Sequence, residues 1–165
     1  MKSRSWKKKS KKQKQNTMAE KLLILGLGNL VLKDEGVGIH AIQELEKEDL
    51  PEHVDLLDGG TGGISLIGTL QEYKRVIMID ATLDNNPSGT IKVIKPKYST
   101  DYPTLLSAHE IGLRDMIESM MIQELIPEID LITVTVKDFQ TIGMDLSPEV
   151  SKALPHVIHQ VKQLI

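Results

Sequence analysis

The chain has 165 residues, 40% of them hydrophobic and only 3% aromatic, which is enough for one domain with a core of Leu, Ile and Val and too short for two ordinary ones. It contains no cysteine, which excludes disulfides, thiolate metal sites, iron–sulfur clusters and a cysteine nucleophile in this chain. The net charge of −3 conceals a run of eight Lys or Arg and no acid in residues 1–17, ahead of a body with 12 basic and 23 acidic groups and a net of −11. An acidic body argues against general nucleic-acid binding. No stretch reaches the roughly 18–20 apolar residues of a membrane span, and the basic run lacks the apolar segment of a signal peptide. Residues 1–17 read either as an extension upstream of a start at Met18 or as a disordered tail. Residues 18–165 read as a single domain, and a cysteine-free chain without a signal fits the cytoplasm.

In chain order, residues 21–25 form an apolar first strand that breaks at Gly26 into a glycine-punctuated loop. A helix is expected over 36–50, with Val37, Ile39, Ala41, Ile42 and Leu45 apolar and Pro51 closing it. Residues 54–57 read as strand 2, followed by Gly59-Gly60-Thr61-Gly62-Gly63 and a helix over 64–70. Residues 75–79 are strand 3, 85–89 a turn, and 90–94 strand 4. A helix over 109–123, a strand over 129–136 and a last helix over 147–164, capped by Ser147 with Pro148 at its first position, complete the pattern. The fold class is α/β, a three-layer sandwich with a twisted, mostly parallel five-stranded sheet flanked by helices. The link between strands 3 and 4 is too short for a parallel crossover of roughly a dozen residues, so strand 4 is expected to be antiparallel and the sheet mixed.

Ligands of an open α/β sheet sit outside the carboxyl ends of its parallel strands, where the strand order reverses. The loop after strand 1 brings Asn29, Asp34 and Glu35 to that edge, the loop after strand 2 brings Asp58 and the glycines, and Asp80 follows strand 3. His109 opens the helix after strand 4. Two carboxylates and an imidazole suit a borderline divalent cation such as nickel or zinc, and equally suit general acid–base work. On the residues alone Asp34 reads as the cap of the helix that begins near Gly36, and Glu35 as either a first-turn acid favoured by the dipole or a ligand. Asp80 closes the most apolar strand, where an acid costs desolvation unless it is used or hydrogen-bonded, and a functional role is favoured.

Several apparent motifs fail. Gly26-Leu27-Gly28 lacks the third glycine of a dinucleotide fingerprint. His109-Glu110 starts a zinc-protease pattern, but Leu113 occupies the second histidine's place, and Ser65 lacks the trailing glycine of a nucleophile elbow. His156 and His159 are spaced to share a metal on the last helix and read instead as a solvated face.

The segments LILGLGNLVLKDEGVG (23–38), LLDGGTGG (56–63), VIMIDAT (76–82), SAHEIGL (107–113) and LSPEV (146–150) together resemble the [NiFe]-hydrogenase maturation endopeptidases. These remove a C-terminal extension from the hydrogenase large-subunit precursor. The resemblance spans residues 20–165 and implies a single α/β peptidase domain. It implies that Glu35, Asp80 and His109 contact nickel already inserted in the precursor, with Glu35 and Asp80 catalytic and Asn29, Asp34, Asp58, Gly59 and Gly60 in support. The metal is then part of the substrate, with no resident cofactor, no Ser or Cys nucleophile, an aspartyl-type peptidase and a monomer as expectations. The glycines of the first loop would leave room for an incoming peptide tail. Two departures stand out: the basic run, and Val136-Lys137-Asp138-Phe139 where many relatives carry Gly–(Ile/Val)–(Glu/Gln)–Pro, which puts the identity of the client in doubt. Two rivals are a non-cleaving nickel or precursor chaperone, and a peptidyl-tRNA hydrolase, whose first strand also ends in Gly-Leu-Gly-Asn. The latter keeps a histidine ten residues after that asparagine, where this chain has Ile39, with His40 one place on.

Overall fold

A computed structural model describes residues 21–104, 113–124 and 126–165. The described strands form one five-stranded sheet: β1 (Leu22–Leu27), β2 (Val54–Gly60), β3 (Arg75–Thr82), β4 (Ile91–Ile94) and β5 (Glu128–Thr135), in the order β2-β1-β3-β5-β4. β1, β2, β3 and β5 run parallel, and β4 pairs antiparallel with β5 through Ile91↔Val134 to Ile94↔Leu131. The mixed sheet expected from the short link is therefore present.

The sheet is covered on both faces, which is why β1, β3 and β5 are apolar almost throughout. On one face α1 (Val37–Leu45) and α4 (Pro148–Leu164) pack Val37, Ala41, Ile42, Leu45, Val150, Val157 and Val161 onto Ile24, Ile77, Ile79 and Ile132. On the other, α2 (Ile67–Leu70) and α3 (Leu113–Ile122) bring Leu70, Ile117 and Met120 onto Leu25, Met78 and Leu131. Period-two alternation along each strand divides these two sets. Among the described residues no helix is long and apolar enough to cross a membrane.

Three boundaries differ from expectation for physical reasons. The first helix is preceded by a 3-10 turn, Lys33–Gly36, and α1 ends at Leu45, beyond which Glu46 to Asp49 are exposed and the apolar period has run out. β2 continues past Leu57 into Asp58, Gly59 and Gly60, because ladder pairing with Gly26 and Leu27 across a bulge overrides their poor strand propensity. β3 continues to Thr82, paired with Thr135, so Asp80 lies inside the strand and does not end it.

Candidate functional site

β1 leads through α1 to β2 on one side and the chain later returns to β3 on the other, so the strand order reverses between β1 and β3. The loop that carries Glu35 leaves β1 there, and Asp80 sits on β3 one residue beyond the Gly26↔Ile79 pairing. Adjacent strands lie about 4.8 Å apart, and the 3-10 turn packs against β3. The close approach is made by glycines. A Cβ on Gly38 would overlap the carbonyl oxygens of Leu27 and Ile79, and one on Gly28 would overlap that of Glu35. The glycines of the first loop are thus filled by neighbouring backbone and do not leave space for a peptide, contrary to expectation.

Asp80 is fully buried, and its Oδ1 accepts the Ala81 N–H at 2.8 Å. By alternation it shares a face with Val76 and Met78, and that face turns from apolar to polar along the strands. Toward the carboxyl edge it carries the buried side chains of Asp80, Thr82, Thr133 and Thr135, with Asp80 opposite Thr133 and Thr82 opposite Thr135. Buried hydroxyls beside a buried carboxylate make this end of the face polar. Residue-by-residue inspection misses Thr133; the signal for it is the ITVT run, in which threonine replaces the apolar member of the alternation. The Thr82 hydroxyl and the Leu83 N–H both donate to the Thr104 carbonyl, at 2.8 and 3.2 Å, holding the chain five residues before His109 on the end of β3. His109 itself lies outside the described residues, as does the basic run. Among the described residues no three His, Asp or Glu side chains cluster closely enough to share a metal.

Asp34 does not cap α1. It is buried, its Oδ1 accepts the Ser147 N–H and its Oδ2 accepts the Ser147 hydroxyl, both at 2.7 Å. Ser147 occupies the N-cap position of α4, but its hydroxyl is turned to Asp34 and not to its own helix. Asp34 therefore joins the first loop to the last helix. Further links reinforce this. The Lys33 N–H donates to Gly143, the Gly143 N–H donates to Val31, and Lys33 pairs with Asp138 at 3.2 Å. The bonds from Thr141 and Lys33 hold the Asp138 carboxyl below the usual carboxylate range. His40 lies with Nε2 3.0 Å from the Met144 carbonyl oxygen, a further contact between α1 and the segment ahead of α4. Asn29 stabilises the turn by accepting the Val31 N–H at 3.2 Å.

The second loop is tied in as well. Asp58 is exposed and accepts the Gly60 N–H at 2.9 Å, while the Gly28 N–H donates to the Gly60 carbonyl at 3.0 Å. Asn29, Asp34, Asp58 and Gly60 thus shape the loops, and Glu35 and Asp80 are acids placed at the point of strand reversal. Nearby, Val31, Ile142 and Met144 are 50%, 84% and 58% exposed around the Val31–Gly143 pairing, an apolar patch on the first loop. His156 and His159 both lie on the exposed face of α4.

The family model described as hydrogenase maturation protease matches residues 39–164. The chain is 28% identical over 147 residues to the hydrogenase 2 maturation protease of Escherichia coli, covering 86% of this chain and 88% of the relative. It is 32% identical over 148 residues to a putative hydrogenase maturation protease of Methanocaldococcus jannaschii, covering 83% and 91%. The structure of the hydrogenase maturating endopeptidase HybD from E. coli superposes with a TM-score of 0.77 at 28% identity, covering 86% of this chain and 89% of that one.

Proposed function

The chain belongs to the hydrogenase maturation protease family, and from that premise we propose that it is an endopeptidase that removes the C-terminal extension of a nickel-loaded [NiFe]-hydrogenase large-subunit precursor. Glu35, Asp80 and His109 receive the nickel, which arrives as part of the substrate and serves as its recognition element. The observation that carries this reading is Asp80, a buried carboxylate on a polar face of the sheet beside the loop that presents Glu35, at the point of strand reversal. The apolar patch of Val31, Ile142 and Met144 favours a protein client over a small molecule.

Carboxylate and imidazole donors suit nickel. Binding the metal positions the scissile peptide bond at the carboxyl edge of the sheet. Hydrolysis then requires water whose proton is taken by a carboxylate, and the metal supplies Lewis acidity when the precursor is bound.

The test incubates purified protein with nickel-loaded and nickel-free precursor and follows precursor mass. Loss of a C-terminal fragment only from the nickel-loaded form is expected. Glu35→Gln and Asp80→Asn should abolish that loss while leaving the far-ultraviolet spectrum unchanged. Trimming at the wild-type rate by both variants would refute the site, and stable precursor binding without any mass loss would make the protein a carrier.

A further inference from the structure

The two edges of the described sheet are unlike. β4 has four residues, carries Lys92 and runs into Lys95 and Pro96, features that block pairing with another strand. β2 has seven residues, no proline and no lysine, and the charge of its Asp55 is already taken by Lys21 at 2.9 Å and by the Tyr73 hydroxyl at 2.8 Å. No other described strand lies on its outer side. The Leu22 N–H donates to the His53 carbonyl, which sets the parity of the ladder. Asp55 and Leu57 turn their backbone groups toward β1, so Leu56 and Asp58 direct N–H and C=O outward. This edge, which carries an exposed acid and a bulge only at its carboxyl end, Asp58–Gly60, runs directly into the second loop of the candidate site. There Gly60, at φ 49°, has only Asp58 Oδ1 within 4 Å of where a side chain would begin, at 3.9 Å, and Thr61 is exposed.

A row of outward N–H and C=O groups selects an extended polypeptide backbone, whatever its side chains. We propose that the outer edge of β2 receives the precursor's C-terminal extension as an added antiparallel strand; the inference rests on the protease reading above. The extension is the right occupant because only a segment outside the client's folded body is free to become a strand in another protein's sheet. Its direction follows from the site. The chain passes Glu35 and Asp80 at the carboxyl edge and continues, C-terminal to the scissile bond, toward the amino edge, opposite to β2. An added strand would lie about 14 Å from β3, three strand spacings, so roughly four extended residues separate the scissile bond from the first edge-paired residue.

A proline scan through the ten residues after the cleavage point of the nickel-loaded precursor tests this. Proline removes the N–H at each position, so it is tolerated where that group faces away from β2 and not where it faces the edge. KM should rise roughly fivefold or more at every second position, with kcat little changed. Addition of a synthetic peptide of the extension should also slow hydrogen exchange at the Leu56 and Asp58 amides. A flat or steadily declining scan, with unmodified precursor still trimmed, overturns the edge proposal and leaves the protease reading standing. Unmodified precursor that is never trimmed overturns both. Protection of the Leu56 and Asp58 amides before peptide is added, through a second copy or another part of the chain, also overturns the edge proposal.

Discussion

Asp34→Ala tests the link on which the first loop depends. The wild-type carboxylate is 1% exposed and accepts two bonds of 2.7 Å from Ser147, one from the N–H and one from the hydroxyl. Hydrogen bonds to a charged group are each worth about 1.5–3 kcal/mol net, and the negative charge at the start of α4 adds about 0.5 kcal/mol through the helix dipole. Against this, alanine relieves the cost of burying the carboxylate, so the net loss should be about 3 kcal/mol. With a urea slope of about 2 kcal/mol per molar, the midpoint falls by roughly 1.5 M. Ser147→Ala removes only the hydroxyl bond and should cost about 1.5 kcal/mol, because the backbone N–H keeps its acceptor. In the double variant the hydroxyl bond is counted once, so the two changes should fall short of additivity by about 1.5 kcal/mol. The assay is urea unfolding followed by circular dichroism on all four proteins. A loss below 0.5 kcal/mol for Asp34→Ala, or additivity within about 0.5 kcal/mol, would refute the reasoning.

Further outcomes follow from other contacts. Gly38→Ala should lower the thermal midpoint sharply, since its methyl meets the Leu27 and Ile79 carbonyls, whereas Gly68→Ala, with nothing within 4 Å, should be neutral or raise it slightly; equal midpoints would contradict the close approach of α1 to the sheet. Arg75→Ala leaves the fully buried Asp130, which Arg75 bonds through Nε at 2.8 Å, with Lys95 at 3.3 Å as its remaining partner, and should cost about 2 kcal/mol, a fall of roughly 4–8 °C in a calorimetric scan. Although burial pushes Asp84 upward, bonds from Asn86, Thr135 and Lys92 hold its carboxyl at about 2. Its folded-state value lies below an ordinary carboxylate's, so its stabilisation is complete above about pH 4 and disappears as pH falls toward 2. With the side chain 24% exposed, screening leaves about 1 kcal/mol. The difference between wild type and Asp84→Asn should shrink across that window, and a constant difference would exclude this contribution.

Much of the fold was legible because it rests on local signals. The apolar runs of β1, β3 and β5 announce buried parallel strands, and the short link between Thr82 and Ile91 announces the antiparallel β4. What was not legible depends on distant partners. Asp34 precedes a helix and looks like its cap, but its acceptor oxygens are claimed by a residue 113 positions later, which no local pattern contains. Asp58, Gly59 and Gly60 look like loop, because their propensity is poor, and become strand only through β1. Asp80 was identified from the cost of an acid in apolar company, while Thr133 needed the register that sets it opposite Asp80. The first-loop glycines were read as space when their role is contact, a distinction that composition does not carry.

The bond between Asp34 and Ser147 also has a consequence in time. During synthesis the first loop leaves the ribosome 113 residues before its fastening arrives, a delay of roughly 6–23 s at ordinary elongation rates. Through that interval β1 and its loop exist without the helix that clamps them. In a nascent chain the first loop is therefore unlatched, and it is fastened only when the last seventeen-residue helix has been made and docked.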